Sequence, residues 1–459
     1  MQISSSTPRR APLPRAALLL AAAIVVAIGS WALRPASVAD APVGDDRPIA
    51  AAAPPAVDAP ATDGLRPPAE RVAFWEGRAA DGGGYLDRIH LADAYLDRAR
   101  TTGDVADLRR AQMALAEAAE TAPDLDPIHV REALVAFALH DFAAALATAN
   151  AVLEADPTDL AALSIAGDSL LELGEVDGAA AHYRELADLA PSAASWSRLG
   201  RMAFLRGDAR SAISLVGTAA ADAVKAGFPD EIAFYHVQLG DLHRMRGGVA
   251  DAEAAYMVAL DALPDHVPAI AGLARVREAQ GRRDEAIALL ESAVDRLPQP
   301  ELVAALGDLR ALAGDANGAD AEYALVEAVA GLSEAGPIYD RAYVLFAADH
   351  RRELDEAVER AEADLETRGD VYGYDALAWA LFAAGRLSEA AVAADQATRL
   401  GTPDPRIAYH AGLIAAAMGR DAEARRFLEV AVAGAAALPP LQVPRAQDAL
   451  AALGAGAAP

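Results

Sequence analysis

The sequence predicts an all-α solenoid of about ten helix pairs. The main evidence is a sequence pattern that repeats every 33 or 34 residues over most of its length. Ten alanines each lie early in a helical pattern that follows a short turn. Most are 33 or 34 residues apart, with longer spacings of 40 before Ala252 and 38 before Ala357. A repeat of this length with two amphipathic helices stacks on its neighbours into one continuous core. The alanines are Ala111, Ala145, Ala179, Ala212, Ala252, Ala286, Ala319, Ala357, Ala390 and Ala424.

One unit, residues 160–190, shows the pattern in full. Apolar residues recur at helical spacing up to Gly174, which can take the left-handed conformation that ends a helix at little cost. A second helical pattern follows. Gly167 is small where the two helices would cross, and Tyr183 is large where a gap must be filled. The same set recurs as Leu239, Gly240, Gly247, Ala252, Tyr256 and Pro264.

This pattern resembles the tetratricopeptide repeat (TPR) family, whose consensus is W-x2-L-G-x2-Y, then A-x3-F, then P. The resemblance covers roughly residues 86–435 and implies a right-handed α-solenoid whose first helices line a concave groove. Three units depart from the consensus. An extended stretch at 101–108 and an insertion at 223–231 are compatible with longer loops. His350-Arg351-Arg352 stands in place of a turn glycine and predicts a different helix packing.

An apolar run at 16–33, without a charged residue, predicts a transmembrane helix or uncleaved signal anchor. At 1.5 Å per residue it is roughly 27 Å long, just enough to cross the hydrocarbon core of a bilayer. Arg9, Arg10 and Arg15 precede it, so we expect the repeats to lie outside the cytoplasm at a bacterial inner membrane. The alternative is a cleaved signal peptide with small residues at 37–39, which would give a secreted or periplasmic protein.

Composition divides the rest of the chain. Residues 1–15 are predicted to form a short basic cytoplasmic tail, and residues 34–70, rich in Ala, Pro and Asp, a disordered linker. Residues 71–435 carry the repeats. Residues 436–459 are predicted to form a C-terminal capping helix and a tail.

Motifs for catalysis are missing, so no catalytic residue, metal or cofactor is predicted. The chain has no cysteine, which excludes thiol catalysis, disulfides and cysteine-based metal sites. It carries no common nucleotide-binding, serine-hydrolase, zinc-protease or calcium-loop motif. The net charge of −27 argues against nucleic acid as the main partner. We therefore expect a protein that is not an enzyme and that contacts the membrane only through its N-terminal helix.

The predicted binding surface is the concave face, which the TPR resemblance assigns to the first helix of each pair. Its middle would be mixed in charge and its C-terminal end aromatic, and aromatic side chains are common binding anchors. Packing between repeats is the alternative for each aromatic residue. The middle candidates are Asp168, Arg201, Asp241, Arg244, Arg275, Glu278 and Asp308, and the C-terminal candidates are Tyr339, Phe346, Tyr372, Asp375, Trp379, Phe382 and Tyr409.

Two functional hypotheses follow. The first is a non-catalytic scaffold or assembly adaptor, tethered to the inner membrane, that binds a protein or peptide of unknown identity in the groove. The second is a small-ligand-binding sensor or enzyme accessory subunit that uses the aromatic patch around Trp379.

Overall fold

The computed structural model describes residues 66–455, except for 103 and 332–335, and omits the side chains of 101, 336–340 and 455. The predicted cytoplasmic tail, the apolar run at 16–33 and most of the predicted linker lie outside the described residues. Within the described part, no helix combines the length and apolar character needed to cross a membrane.

The described residues form 22 α-helices and one short 3₁₀-helix, and they contain no strand. Helices α2 to α21 make ten successive pairs, α1 precedes them, and the 3₁₀-helix and α22 follow. The helices are α1 (Pro68–Ala80), α2 (Tyr85–Thr102), α3 (Val105–Thr121), α4 (Asp126–Ala138), α5 (Phe142–Ala155), α6 (Leu160–Glu172), α7 (Val176–Leu189), α8 (Ala193–Leu205), α9 (Ala209–Ala226), α10 (Pro229–Met245), α11 (Val249–Ala262), α12 (Val267–Ala279), α13 (Arg283–Arg296), α14 (Pro300–Leu312), α15 (Ala316–Ala330), α16 (Gly336–His350), α17 (Leu354–Thr367), α18 (Val371–Ala383), α19 (Leu387–Ala397), α20 (Pro405–Ala417), α21 (Asp421–Ala433), the 3₁₀-helix (Ala435–Ala437) and α22 (Gln442–Ala455).

The ten repeat alanines all lie in the second helix of a pair, as the period predicts. Each is buried, with Ala319 the most exposed at 3%. A methyl group therefore suits the helix crossing in every pair, and the structure confirms the helical repeat.

Large tyrosines fill the space left by glycines on the neighbouring helix. A methyl group at Gly167 would meet the ring of Tyr183 at 2.6 Å, and one at Gly307 would meet the ring of Tyr323 at 2.5 Å. In the fifth pair, Tyr256 contacts a glycine on each side, Gly240 in α10 and Gly272 in α12. Because no side chain fits between ring and helix, the small and large positions of the repeat depend on each other.

The turn inside a pair is usually made by a glycine in the left-handed region, with φ of 86° at Gly174 and 72° at Gly419. Two pairs use other residues there. His140 has φ of 64° between α4 and α5, and Arg351 has φ of 54° between α16 and α17. Residues other than glycine adopt this backbone conformation at a cost of roughly 1–2 kcal/mol. The sequence analysis identified the Arg351 turn as different and missed the one at His140.

The two longer stretches of sequence extend helices instead of loops. The insertion at 223–231 gives α9 18 residues and α10 17 residues, against 13 or 14 in the preceding two pairs. The stretch at 101–108 likewise extends α2, which reaches Thr102 before α3 begins at Val105. Phe228 lies in the turn between the extended helices α9 and α10, and it is 56% accessible.

Each end of the array is covered by an additional helix. Trp75 of α1 is fully buried and stacks on His90 of α2, with ring centroids 4.6 Å apart. At the other end, Ala446 of α22 is buried in a cluster with Tyr409 of α20. These helices cover the open faces that a repeat array otherwise leaves at its ends.

The solenoid returns onto itself after six helix pairs. A methyl group at Gly174, in the third pair, would meet the carbonyl oxygen of Gly369, just before the ninth pair, at 2.4 Å. One pair further along each turn, the Thr402 hydroxyl donates to the carbonyl of Leu205 at 2.8 Å. Arg244 donates to the carbonyl of Ala436 at 3.2 Å. The third to fifth pairs therefore pack against the ninth pair, the tenth pair and the segment after it, so the inner surface is enclosed on this side.

Candidate partner-binding interior of the solenoid

One position on the inner helices, eleven residues before the repeat alanine, accounts for half of the predicted groove residues. It changes in character along the chain, from charged in the middle pairs to aromatic near the C terminus. In order, it holds Asp168, Arg201, Asp241, Arg275, Asp308, Phe346 and Trp379.

The three aspartates at this position each accept a hydrogen bond from the tyrosine of their own pair. The distances from hydroxyl to carboxylate are 2.8 Å for Tyr183 and Asp168, 2.7 Å for Tyr256 and Asp241, and 2.9 Å for Tyr323 and Asp308. The aspartates are thus structural acceptors. Sequence reasoning missed this role, although a Gly-Asp dipeptide followed by tyrosine 15 residues after the aspartate occurs in all three pairs.

Arg201 is tied to Glu172 of the preceding inner helix. Its guanidinium donates to the Glu172 carboxylate at 2.9 Å, and Arg368 donates to the other carboxylate oxygen at 2.7 Å. Burial alone would raise the pKa of Glu172, but the charges of Arg368 and Arg201 hold that pKa well below its usual range. Since Arg368 belongs to the later turn of the solenoid, Glu172 joins the two turns.

Two further arginines of the inner wall are fully paired. Arg198 donates to Asp168 at 2.7 Å. Arg244 donates to Asp241 at 2.8 Å and to the Tyr256 hydroxyl at 3.1 Å. Because guanidinium groups are costly to bury without partners, these contacts explain how the charges are accommodated.

In the sixth pair, the arginine of the inner wall is no longer paired. Arg275 of α12 is half-buried, and among the described residues it makes no hydrogen bond or ion pair. Burial, followed by the nearby charge of Arg244, lowers the pKa of Arg275 to about 10. Glu301 of α14 and Arg406 of α20 interact with each other electrostatically, and Glu301 also interacts with Arg275.

Glu301 and Arg406 also have polar atoms without hydrogen-bond partners. In the described part of the chain, Oε2 of Glu301 is buried and makes no hydrogen bond. Nε of Arg406 makes no hydrogen bond either, but it lies 3.7 Å from Oδ2 of Asp375 in an ion pair. Burial raises the pKa of Glu301. Both side chains keep some accessible surface although they belong to inner helices. This part of the wall therefore has an acceptor, Oε2 of Glu301, that no described donor uses. Neither residue was predicted.

The predicted aromatic end is packed. Trp379 is 5% exposed, its Nε1 donates to Asp349 at 2.8 Å, and its ring stacks on His410 at 4.2 Å. Tyr409 is fully buried, and Phe346 is 4% exposed. These three rings pack between repeats, which is the alternative considered for each of them, and they do not present an open surface.

The remaining candidates vary in their surroundings. Tyr372 is half-buried beside Arg201 and Asp370, in a cleft between the two turns. Phe382 is half-buried and stacks on Trp379. Asp375 is buried and lies 2.8 Å from Nδ1 of His410. Glu278 pairs with Arg283 at 2.8 Å. Tyr339 belongs to α16, and its side chain lies outside the described part.

In the residues that the structure describes, no three histidine, aspartate or glutamate side chains are grouped to hold a metal ion. What the interior offers is a set of charged hydrogen-bonding groups, paired in the third to fifth pairs and partly unpaired from the sixth pair onward.

Sequence-family models match four segments of this chain, all described as tetratricopeptide repeat. One model matches residues 130–194, 166–228 and 376–439. A second matches residues 245–309. The models support the assignment of this chain to the tetratricopeptide repeat family, in agreement with the helix pairs and their alanines. No match to a curated protein was found.

Several solved structures are similar to this chain. PilW, described as a widely conserved type IV pilus biogenesis factor, is 21% identical with a TM-score of 0.38, covering 45% of this chain and 93% of PilW. A tetratricopeptide repeat protein from Parabacteroides merdae is 16% identical with a TM-score of 0.39, covering 55% and 96%. A human IFIT1 dimer with PPP-AAAA is 14% identical with a TM-score of 0.44, covering 79% and 94%.

Proposed function

We propose that this protein is a non-catalytic scaffold that binds an extended segment of a partner protein inside its solenoid. The inner helices present charged side chains along the interior, and the contacts between the two turns enclose that interior on one side. A folded domain does not fit an enclosed surface of this kind, whereas an extended segment does. The proposal is supported mainly by Arg275, a half-buried guanidinium of this wall that makes no hydrogen bond or ion pair with a described residue, and by the unpartnered Oε2 of Glu301.

Site-specific photocrosslinking in cells tests this proposal. Benzoylphenylalanine in place of Tyr372 puts the crosslinker in the cleft between the turns, and the same residue in place of Phe228 puts it on the outer surface. Both replacements keep an aromatic ring, and circular dichroism checks that each full-length variant is folded. We expect a discrete protein adduct from position 372 and none from position 228. An adduct only from position 228 would show that the partner uses the outer surface.

We also propose that the repeats are tethered outside the cytoplasm by the apolar run at 16–33, which is preceded by arginines and contains no charge. Fusion of two reporters after Pro459 tests the orientation. A reporter that works only outside the cytoplasm should be active, and one that works only in the cytoplasm should be silent. A full-length chain in the membrane fraction indicates an anchor, and a soluble chain that starts near Asp40 indicates cleavage.

A further inference from the structure

The two turns of the solenoid meet along a line of backbone contacts, which we call the seam. On one side are the turn glycines of the third, fourth and fifth pairs. On the other are the segments six pairs further along, before the ninth and tenth pairs and after the tenth. In the fifth pair, a methyl group at Gly247 would meet the carbonyl oxygen of Ala433 at 2.4 Å. The seam joins Gly174, Gly207 and Gly247 to Gly369, Gly401 and Ala433, respectively.

The seam is thin compared with the contacts between neighbouring pairs, which share continuous apolar cores. In the described part of the chain, no α-helix of one turn packs along an α-helix of the other, and only the 3₁₀-helix packs on helices of the earlier turn. The ion pair between Glu172 and Arg368 crosses the seam, as does the hydrogen bond from Thr402. A small apolar cluster that contains Leu171, Leu205, Val371 and Ile407 also crosses it.

The glycines of the seam have a role that their backbone conformation alone does not explain. Gly385 and Gly419, in the ninth and tenth pairs, have φ of 81° and 72°. The values at the seam are similar, 86° at Gly174 and 76° at Gly247. A methyl group at Gly385 or Gly419 would meet no described atom within 4 Å, whereas the two seam glycines have no room for one. The seam therefore needs glycine for close approach, and the open turns need it only for their conformation.

The closed seam restricts how a partner segment can reach the interior. A segment that lies between folded parts of its partner cannot thread along the axis of the solenoid, so it has to enter from the side. The curvature of a repeat array is the sum of small rotations between successive pairs. Small rotations at several junctions can therefore separate the seam without opening the core of any pair, and regions held by few buried contacts are the first to open.

Building on the proposed function, we infer that the seam opens to admit the partner segment from the side and closes after entry. Tyr372 lies in the cleft at the seam, between Leu205 of the earlier turn and Leu400 of the later one. The entering segment passes Tyr372, and the ion pair of Glu172 with Arg368 then holds the closed form.

Pulsed electron paramagnetic resonance on the full-length protein measures the width of the seam. Because the chain has no cysteine, two introduced cysteines carry spin labels at defined positions. Glu175→Cys and Gln396→Cys change exposed residues on the two sides of the seam. Glu175 directly follows Gly174, and Gln396 lies three residues before Arg399, whose guanidinium is 3.4 Å from a methyl group at Gly174.

Methyl groups at two seam glycines should open the seam. Gly174→Ala combined with Gly247→Ala should shift the distance between the labels to longer values, because each methyl group meets a carbonyl oxygen at 2.4 Å. Gly385→Ala combined with Gly419→Ala adds the same methyl groups at matching φ in open space and should leave the distance unchanged. Circular dichroism checks that both variants are folded. Equal distances in the two variants would overturn the inference.

A chemical lock on the seam tests entry directly and needs no glycine variant. A bismaleimide joins the two introduced cysteines in full-length protein that also carries benzoylphenylalanine in place of Tyr372. The protein is then illuminated in an extract of cells that lack it. We expect no adduct from the locked protein. Proteins with only one of the two cysteines, treated with the same reagent, should give the same yield as the untreated protein.

The results of locking separate the two proposals. An undiminished adduct from the locked protein would show that the segment enters along the axis, which overturns the opening of the seam and leaves the proposed function intact. No adduct from either the locked or the unlocked protein would overturn both.

Discussion

Arg201 and Arg275 occupy the same position of the repeat and carry the same side chain, yet their surroundings are opposite. Arg201 is 9% exposed and pairs with Glu172, whose charge raises the pKa of Arg201 although burial alone would lower it. In the pair before Arg275, the position equivalent to Glu172 is Met245, and burial and the nearby charge of Arg244 lower the pKa of Arg275. The comparison shows that the repeat fixes where a side chain lies, while the neighbouring pair decides whether that side chain finds an ion-pair partner within the fold.

The largest effect is expected at the same position in the ninth pair, where the residue is Trp379. Trp379→Ala should lower the free energy of unfolding by about 3–5 kcal/mol, as removal of a buried aromatic ring does, and it also leaves Asp349 without its indole donor. Urea denaturation followed by circular dichroism measures this loss. A near-wild-type midpoint with weakened partner binding would instead show that Trp379 belongs to the binding surface.

Removal of the Arg201 partner comes next. Glu172→Ala leaves Arg201 and Arg368 buried with one carboxylate fewer, and breaking a buried charge pair costs about 3–5 kcal/mol. Urea denaturation followed by circular dichroism measures this loss as well. Met245→Ala changes the position equivalent to Glu172 in the pair before Arg275, and as the control it should have a smaller effect.

The loss caused by Glu172→Ala should depend on pH. The pKa of Glu172 is lower in the folded protein than in the unfolded chain, so its contribution is complete above its unfolded pKa of 4.5. That contribution decreases as pH falls through the folded value. The difference in stability between wild type and Glu172→Ala should therefore be full at pH 7 and shrink in strong acid. A difference that stays constant over this range would contradict the ion pair.

The substitution Ala286→Leu tests whether the wall around Arg275 is poorly packed. Ala286, the repeat alanine of the same pair, is fully buried. Ala286→Leu adds three carbons at a helix crossing, and overpacking of this kind costs about 1–3 kcal/mol. A lowered urea midpoint would show that the pair is tightly packed and that only its charge is unsatisfied. An unchanged midpoint would mean that the region is loosely packed. Loose packing alone would then explain why Arg275 has no ion-pair partner.

The fold could be predicted from the sequence because its signals are local. The period of the alanines and the turn glycine at Gly174 are set by contacts within a pair. The buried alanine recurs in all ten pairs, and a turn glycine recurs in most of them. The extra residues at 223–231 extend two helices, which length alone could not distinguish from a longer loop.

The site was less predictable, since it depends on how far the solenoid curves. The contact between Gly174 and Gly369 joins residues far apart in the chain, and no repeat pattern contains that information. The same contact encloses the predicted groove, and related packing buries Trp379 and Tyr409. The ion pair between Arg406 and Asp375 joins the ninth and tenth pairs, and nothing in their local sequence marks it.

The smallest expected effect carries the opposite sign. Arg275→Met replaces an unpaired cation by a side chain of similar reach that has no charge to desolvate, and replacing buried charges by apolar groups is often neutral or stabilising. We expect the urea midpoint to stay the same or to rise by the equivalent of about 1 kcal/mol, whereas Arg201→Met should lower it, because Glu172 then loses a partner. If Arg275→Met and Arg201→Met lower the midpoint equally, then Arg275 contributes to the fold as Arg201 does, and the distinction between the two sites disappears.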